Sequence, residues 1–343
     1  MTLTSGCISA NSDISLTANG VSSMGSAVLN SSTGNVSIQT GNGALTLNGS
    51  NISAFNNITL NNTNGALNLN SASLNASHGS TGVNSGGDIS LGQGTISAEG
   101  DVGLASGGNI TINNSSITGK GNVSVLGAGS STSRVQVLNS TVASNGGNIT
   151  IDQLSHNTTD SNGNTVTNAN AMTVKVSNST LNASGNTTQG NIAISMYNPN
   201  INLSATAYNN TVRNGSSTLE ISGNSTLSGA NILLHSELSG ANAMMFPVFL
   251  GGVNITADND ITIDSTLTGT TNSSMQAIEI RGGNTLTAQA GNITISNRRT
   301  DSGTTHGVFL NGTTSAKAIL TAGKDITLTG STGGSGSGVQ LTN

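Results

Sequence analysis

One short phrase recurs through this chain at nearly constant intervals. It ends in an apolar, a small polar and an apolar residue, as in Asp88-Ile89-Ser90-Leu91 and Asn109-Ile110-Thr111-Ile112. Its first apolar position falls at Leu45, Leu67, Ile89, Ile110 and Val135, and the last step of this series is slightly longer than the others. An internal period of about 20–25 residues is typical of stacked repeats, in which each unit buries its apolar face against its neighbours.

Two further phrases follow the first within each period. The second has its apolar position at Ile52, Leu74, Ile96, Ile117 and Val142, and the third has it at Ile58, Val102, Val123 and Ile149. The third series has one gap, where we expect a loop around residues 78–86. Apolar residues at i and i+2 indicate short strands with one buried face, whereas the helical pattern of apolar positions is absent.

The residues between the phrases favour tight corners. Gly and Asn flank most phrases, and both accept the positive φ that such corners need. An Asn at matching corners can also bond to its neighbours in a ladder along the stack. The sequence therefore predicts an all-β fold, a single-stranded parallel β-helix of about 15 coils of roughly 20–25 residues, with ~4.8 Å between coils. A right-handed sense is expected from known examples of this fold.

Composition excludes several classes of function. Charged residues make up 7% of the 343 residues and aromatic residues 2%, whereas about 25% charge is usual for a globular domain. Disorder is the competing explanation for so polar a chain, but Ile, Leu and Val at fixed spacing argue against it. The net charge is −5 without any run of Lys or Arg, so we expect no binding to nucleic acid or to an anionic membrane surface.

The chain has no sequence signal for disulfides or membrane insertion. Cys7 is the only cysteine, which excludes an intrachain disulfide framework and a cysteine-built zinc site. No stretch is apolar enough for a membrane span, and no signal peptide is visible after Met1. Both ends of the chain carry repeat-like phrases, so we expect it to be a segment of a larger secreted protein.

The repeat is interrupted in three places, and we expect insertions there, near residues 152–171, 204–217 and 237–253. The last one differs most from the rest of the chain because it concentrates Met244, Met245, Phe246, Phe249 and Leu250. It is interpreted either as a segment packed on or in the solenoid or as an exposed apolar patch for a partner. Because the repeat resumes after each interruption, residues 1–343 are expected to form one continuous β-helix.

The search for chemistry gives few candidates. Asp258, Asp260 and Asp264 share one parity, which would place three carboxylates on an outward strand face, with Arg281 about one coil further on. Carbohydrate-active β-helix enzymes use such carboxylates, but solvated corner residues are the simpler explanation. The four histidines are far apart in sequence: His78, His156, His235 and His306. We expect no catalytic residue, metal site or cofactor.

Asn-x-Ser/Thr sequons are numerous in this chain, for example at Asn57, Asn109, Asn148, Asn178 and Asn292. A chain rich in Asn, Ser and Thr produces such triplets by composition alone, and Asn-Ile-Thr is itself the phrase that opens a strand. These five residues are candidate glycosylation sites.

The recurring phrases resemble a family of bacterial exoproteins. Gly-Asn-Ile-Thr-Ile at 108–112, 147–151 and 291–295, Asp-Ile-Thr-Leu at 325–328 and Ser-Thr-Leu-Asn-Ala-Ser at 179–184 are similar to the repeats of filamentous haemagglutinin and the high-molecular-weight adhesins. The resemblance covers nearly the whole chain. It implies a β-helical fibre exported by two-partner secretion through an outer-membrane transporter, and glycosylation at Asn.

This resemblance sets the expected function. The chain is expected to be a non-enzymatic, monomeric stalk of a secreted or surface-exposed virulence protein, with a binding surface for a protein or glycan receptor on host or neighbouring cells. The alternatives are the stalk of a contact-dependent toxin-delivery protein, an autotransporter passenger, a carbohydrate-active β-helix enzyme and an ice-binding solenoid. An ice-binding solenoid would need a regular Thr-x-Thr array, whereas the outward positions here mix Ser, Thr, Gly and Lys.

Overall fold

The structure, a computed structural model, is built from β-strands. It describes residues 1–128, 133–154, 158–159, 165–166, 173–185, 188–198, 219–239, 247–268, 277–300, 306–313 and 315–342. All regular elements in these residues are strands, which confirms the predicted all-β class. Within the same residues, no helix is long and apolar enough to cross a membrane.

Three parallel sheets contain nearly all of these strands, and each coil of the chain visits them in the order A, B, C. Sheet A consists of β1 Thr2–Thr4, β4 Ser22–Gly25, β7 Leu45–Thr46, β10 Leu67–Asn68, β13 Ile89–Gly92, β16 Ile110–Asn113, β19 Arg134–Leu138, β24 Thr173–Ser177, β27 Leu219–Ser222, β30 Val248–Gly251, β33 Ile278–Arg281, β36 Val308–Asn311 and β39 Val339–Thr342. Sheet B consists of β2 Cys7–Ala10, β5 Val28–Ser31, β8 Asn51–Ala54, β11 Ser73–Ala76, β14 Thr95–Ala98, β17 Ser116–Gly119, β20 Thr141–Ser144, β25 Thr180–Asn182, β28 Thr226–Gly229, β31 Asn254–Ala257, β34 Thr285–Ala288 and β37 Ile319–Ala322.

Sheet C completes each coil. It consists of β3 Ile14–Ala18, β6 Val36–Thr40, β9 Ile58–Asn62, β12 Thr81–Ser85, β15 Val102–Ser106, β18 Val123–Gly127, β21 Ile149–Leu154, β26 Ile192–Asn198, β29 Ile232–Ser239, β32 Ile261–Thr268, β35 Ile293–Arg299 and β38 Ile326–Thr329. A separate antiparallel pair, β22 Thr158–Thr159 and β23 Thr165–Val166, lies between β21 and β24. The chain is therefore a parallel β-helix, as predicted, and its handedness stays a prediction.

The register predicted from the repeats is the register of the sheets. Leu45, Leu67, Ile89, Ile110 and Val135 pair in series in sheet A. Ile52, Leu74, Ile96, Ile117 and Val142 do the same in sheet B. Each strand therefore bonds to the same strand one coil above and below, which stabilises strands too short to form a stable isolated hairpin.

The loop expected around residues 78–86 is wrong for most of that stretch. Residues 81–85 form β12, whose Thr81 pairs with Ile58 on one side and Val102 on the other. Thr81 takes the inward position that Ile or Val holds in neighbouring coils and is buried, as is Val83. The sequence pattern did not predict this strand, because Thr81 stands where neighbouring coils have Ile or Val and is followed by Gly82.

The interior is a continuous column of aliphatic side chains. Ile, Leu and Val from all three sheets are buried along it, most of them with 0% or 1% exposure, and they belong to one hydrophobic cluster. Burial of a side chain of this size contributes about 1.5–3 kcal/mol. This column is the main source of stability that the fold offers.

The coils lengthen along the chain, as the residues at the start of each sheet C strand show. The corner residues Asp13, Asn35, Asn57, Ser80, Asp101, Asn122 and Asn148, each directly before such a strand, follow one another at intervals of 22, 22, 23, 21, 21 and 26 residues. The series continues through Asn191, Asn231, Asp260, Asn292 and Asp325, at intervals of 43, 40, 29, 32 and 33 residues. The constant period expected from the sequence therefore overestimates how many turns the second half of the chain makes.

Most of the extra residues enter at one corner, where sheet C connects to sheet A, and shorter additions separate β25 from β26 and β36 from β37. In the shorter coils β15 ends at Ser106 and β16 begins at Ile110, whereas β21 ends at Leu154 and β24 begins only at Thr173. The connections after β26, β29, β32 and β35 are also extended. We call this corner the C–A corner.

The predicted insertions need partial correction. Residues 152–154 belong to β21, and the stretch up to 171 includes the β22–β23 pair. The insertion near 204–217 lies outside the described residues. Within 237–253, residues 237–239 end β29 and 248–251 form β30, so both ends of this stretch are rungs of the solenoid.

Candidate functional site

Hydrogen-bonded ladders of side chains run along two corners of the solenoid, one through nearly all coils and the other through four of them. At the corner between sheets B and C, the residues directly before the sheet C strands form what we call the B–C ladder, from Asp13 to Asp325. In each step, a side-chain oxygen accepts a hydrogen bond from an N–H of the ladder residue in the next coil. This confirms the predicted ladder of corner asparagines.

The ladder between sheets A and B has the opposite direction. The backbone N–H of Ser115 donates to Ser140 Oγ at 3.0 Å, Ser140 to Ser179 at 3.1 Å, and Ser179 to Ser225 at 3.2 Å. We call these four buried serines the A–B ladder. The residue before several of them, such as Asn139 and Asn178, has φ of 49°, a conformation in which asparagine is among the better tolerated residues.

The C–A corner carries two short ladders, of which the first joins Asn19, Asn42 and Asn64 through side-chain hydrogen bonds at 3.4 and 2.9 Å. In the second ladder, Asp88 Oδ1 accepts hydrogen bonds from the backbone and side chain of Asn109 at 2.7 and 3.1 Å. Asn109 Oδ1 in turn accepts one from the backbone N–H of Arg134 at 3.0 Å. The next rung at this position, Thr173, follows the first long connection.

An open groove lies beside this short ladder on the outer face of sheet A. Its volume is about 560 Å³, and it is lined by Ala66, Asn68, Asp88, Ile89, Ser90, Asn109, Thr111, Arg134 and Gln136. Asn68, Ser90, Thr111 and Gln136 occupy one outward column across four consecutive strands. The groove is therefore a polar surface at the scale of a small-ligand site.

The outer face of sheet C changes character from β21 onward. One outward column contains Asp152, Ser195, His235, Asp264 and Ser296 in consecutive strands. His235 Nδ1 lies 2.7 Å from Asp264 Oδ2. This hydrogen bond raises the pKa of His235 above its ordinary value, although partial burial acts in the other direction. Partial burial also raises the pKa of Asp152, against the hydrogen bond from Ser195.

The three predicted outward carboxylates do not share one face. Asp264 lies on β32, whereas Asp258 and Asp260 precede that strand. Asp260 belongs to the B–C ladder and accepts a hydrogen bond from the Asn292 backbone at 2.7 Å. Arg281 lies on sheet A, where its Nε contacts Glu279 Oε1 at 2.7 Å. The part of the chain that the structure describes contains no group of three or more His, Cys, Asp or Glu that could hold a metal ion.

The other histidines have separate surroundings. His78 stacks on Phe55, with ring centroids 4.0 Å apart. His306 is 5.5 Å from Phe309, and its Nδ1 faces the backbone N–H of Ser337 at 3.2 Å. His156 lies outside the described residues. The His235–Asp264 pair could not be found from the sequence, because its members are a full coil apart in the chain.

The candidate partner-binding residues fall into three groups. Met244, Met245 and Phe246 lie outside the described residues. Phe249 is on the outer face of sheet A, where the Arg281 guanidinium lies 4.9 Å from its ring centroid. Leu250 points inward and is fully buried, so it contributes to the core and not to a surface for a partner.

The candidate glycosylation sites differ in how their side chains are engaged. Asn57, Asn148 and Asn178 are exposed, whereas Asn109 and Asn292 are half-buried. The Nδ2 atoms of Asn109 and Asn292, to which a sugar would be attached, donate hydrogen bonds to Asp88 and Asp260 at 3.1 Å. Glycosylation of the folded chain is therefore expected to favour the three exposed residues.

Comparison with known proteins identified no relative. A scan against models of protein families, a search of curated proteins and a search of solved structures each gave no match.

Proposed function

We propose that this chain is a non-enzymatic structural and adhesive segment of a large bacterial exoprotein, secreted or displayed at the cell surface. Its role is that of a rigid stalk that presents a binding surface to host or neighbouring cells. The observation that carries the proposal is the unbroken stack of parallel strands around one aliphatic column. Because neighbouring strands are ~4.8 Å apart, a stack of this many strands extends roughly 50 Å along the axis.

The architecture supports this role in two ways. A column fixed in register by ladders at two corners resists bending, because each coil is bonded to both of its neighbours. The C–A corner accepts long connections, and binding surfaces are commonly built on loops that a rigid scaffold holds in place. Export through an outer-membrane transporter and a role in virulence belong to the same proposal and rest on the resemblance of the repeats.

An attachment assay tests the adhesive role. Beads coated with the chain are expected to adhere to cultured epithelial cells or to bacterial cells more than beads coated with an unrelated protein of similar charge. The matched control is Ile151→Asp, which places a carboxylate in the aliphatic column and disrupts the fold. Equal attachment by the folded chain and the unrelated protein to every cell type would contradict the proposal.

A carbohydrate-active β-helix enzyme is the second candidate, and the observation that favours it is the His235–Asp264 pair, with Asp152 two rungs away in the same outward column. General acid–base catalysis requires titratable groups of this kind within reach of a substrate. Incubation with acidic and neutral polysaccharides, followed by measurement of new reducing ends, tests this function. Product formation that disappears in both His235→Gln and Asp264→Asn would favour the enzyme over the stalk.

A further inference from the structure

Several polar side chains that line the groove on sheet A form no hydrogen bond within the described part of the protein. Among the described residues, Ser90, Thr111 and Gln136 have no hydrogen-bond partner for their side chains, although each lines the groove. The neighbouring coil differs, because Asn68 Nδ2 donates to Thr46 Oγ1 at 3.4 Å. Hydroxyl and amide groups in this arrangement offer both donors and acceptors to a ligand.

Arg134 supplies the cation of the groove, whose lining also contains the Asp88 carboxylate, held by hydrogen bonds from Asn109. Residues 1–172 contain only two cationic side chains, Lys120 and Arg134. Lys120 forms an ion pair with Glu99, whereas the guanidinium of Arg134 contacts no carboxylate in the part of the chain described here. An exposed guanidinium offers a fork of N–H donors that matches a carboxylate in two hydrogen bonds.

The walls of the groove are held in place by the backbone. The hydrogen bonds that join Asp88, Asn109 and Arg134 fix one wall, and parallel pairing of β10, β13, β16 and β19 fixes the floor. A site built on paired strands needs little reorganisation when a ligand binds, which lowers the cost of binding.

The lining also indicates what kind of ligand fits. Ala66 and Ile89 are the only apolar residues of the lining, and the Ile89 side chain is buried in the core. An apolar or aromatic ligand would therefore find little to bury. A polyhydroxylated ligand can instead exchange hydrogen bonds with Ser90, Thr111 and Gln136.

We propose that the sheet A groove is a binding site for a carboxylate-bearing saccharide, with Arg134 bound to the carboxylate and the column of Ser90, Thr111 and Gln136 bound to hydroxyl groups. The saccharide lies along the axis of the solenoid, so that successive sugar units meet successive rungs, which are ~4.8 Å apart. This inference rests on the adhesive function proposed above, because it names the class of ligand that the stalk would recognise.

Isothermal titration calorimetry on the whole chain tests the site with three probes. Tetragalacturonate carries a carboxylate on every sugar, its methyl ester has none, and sialyllactose carries one on a terminal sugar. We expect binding of tetragalacturonate or sialyllactose and no measurable binding of the ester. Binding of only the first assigns the carboxylate to a uronic acid within a polymer, and binding of only the second assigns it to a terminal acid.

Matched variants locate the site. Arg134→Gln is expected to weaken acid binding by about tenfold or more, the loss typical of one hydrogen-bonded contact between charged groups. Lys120→Gln removes the other cation of this region, at a different corner, and is expected to leave the affinity unchanged. Both substitutions are at the surface, and circular dichroism confirms that the variants fold.

Three results would overturn the assignment: equal binding of the acid and its ester, equal affinities of Arg134→Gln and the parent chain, or no binding of either acid. The attachment assay separates this proposal from the adhesive role. If cells bind the parent chain and Arg134→Gln equally well, the adhesive role stands and the groove has no part in it. If the chain binds an acidic saccharide but attaches to no cell type, the groove is supported as a saccharide site and the adhesive role is contradicted.

Discussion

The coils before Asn148 differ from those after it in how much chain each one uses. Successive rungs of the B–C ladder are 21 to 26 residues apart in the first group and 29 to 43 residues apart in the second. The aliphatic column continues through both groups, since equivalent inward residues such as Leu104 and Leu234 are equally buried, and the longer sheet C strands add inward residues such as Leu238. The difference lies in the outer surface, in the length of the sheet C strands and mainly in one corner.

The ladders give a reason why that corner varies most. The B–C ladder runs through both groups of coils, and the A–B ladder runs from Ser115 to Ser225, across the boundary between them. An insertion at either corner has to keep the ladder residue in register, as the longer B–C connection between β25 and β26 does, where Asn191 still donates to Asn148. At the C–A corner the last ladder ends at Arg134, so in the coils that follow a loop can be added there without breaking a continuous ladder.

The largest effects are expected from the shared interior. Leu104→Ala and Leu234→Ala remove side chains of the same size from equivalent positions in the two groups of coils. Each is expected to lower the free energy of unfolding by about 2–5 kcal/mol, as measured by urea denaturation. Leu126→Ala, at a residue with 36% exposure on the outer face, is the control and is expected to have a much smaller effect. A loss at Leu234 far below that at Leu104 would mean that the longer coils are loosely packed.

The A–B ladder should give the next largest effect. Ser140→Ala removes the hydroxyl that accepts from the buried Ser115 backbone at 3.0 Å and leaves that N–H without a partner. The expected loss of stability is about 1–3 kcal/mol, measured in the same way. Ser124→Ala, on the outer face of sheet C, should change stability by less than about 0.5 kcal/mol. Equal effects of the two substitutions would show that the ladder contributes nothing to stability.

Insertions test the comparison between corners directly. A short Gly/Ser segment placed directly after Thr268, in one of the extended C–A connections, should lower the free energy of unfolding by about 1 kcal/mol or less. The same segment placed between Gly100 and Asp101 should destabilise the chain more, because it displaces Asp101 from Ser80 and Asn122. Equal losses of stability at the two corners would mean that the ladders do not determine where the natural insertions occur.

The smallest effect concerns pH and is confined to the longer coils. The pKa of His235 is raised by its hydrogen bond to Asp264, so the folded state binds this proton more tightly than the unfolded chain does. The resulting stabilisation is complete below the ordinary value of 6.5 and is lost as the pH rises through the raised pKa. Both side chains are about one-third exposed, so the effect should stay below about 1 kcal/mol.

An NMR titration of the His235 ring checks this prediction, with Asp264→Asn as the matched variant. The midpoint should lie above 6.5 in the parent chain and should fall in the variant. The variant should also lose the part of the pH dependence of unfolding that belongs to this pair. An unchanged midpoint would contradict the predicted role of Asp264.

The fold could be predicted in the short coils because three signals coincide there. Apolar residues at i and i+2, Gly or Asn at the corners and a constant period all indicate the same register, which the pairing of Leu67 with Ile89 confirms. The prediction is wrong at Thr81, where a polar residue takes an inward position. The period is also lost after Leu154, since the length of a C–A connection is not constrained by the stacking of the strands.

The candidate sites were harder to predict from the sequence than the fold. Neither the groove nor the His235–Asp264 pair occupies a continuous stretch, and each depends on which residues the coils align. Arg134 could be noticed as a rare cation, but its position beside Ser90 and Thr111 follows only from the pairing of β13, β16 and β19. Outward residues also lack the periodic apolar signal that identifies inward ones.

The opposite directions of the two ladders have a consequence for how the chain winds up. When the turn that contains Ser140 is in place and the next is not, the backbone N–H of Ser140 still awaits Ser179 Oγ, while Asn148 Oδ1 of the same turn awaits the N–H of Asn191. Each finished turn thus offers the incoming one a donor at one edge and an acceptor at another, as a template does. We therefore expect turns to be added in sequence from a nucleus, and pulsed hydrogen exchange during refolding should find protection spreading outward, turn after turn, along the axis.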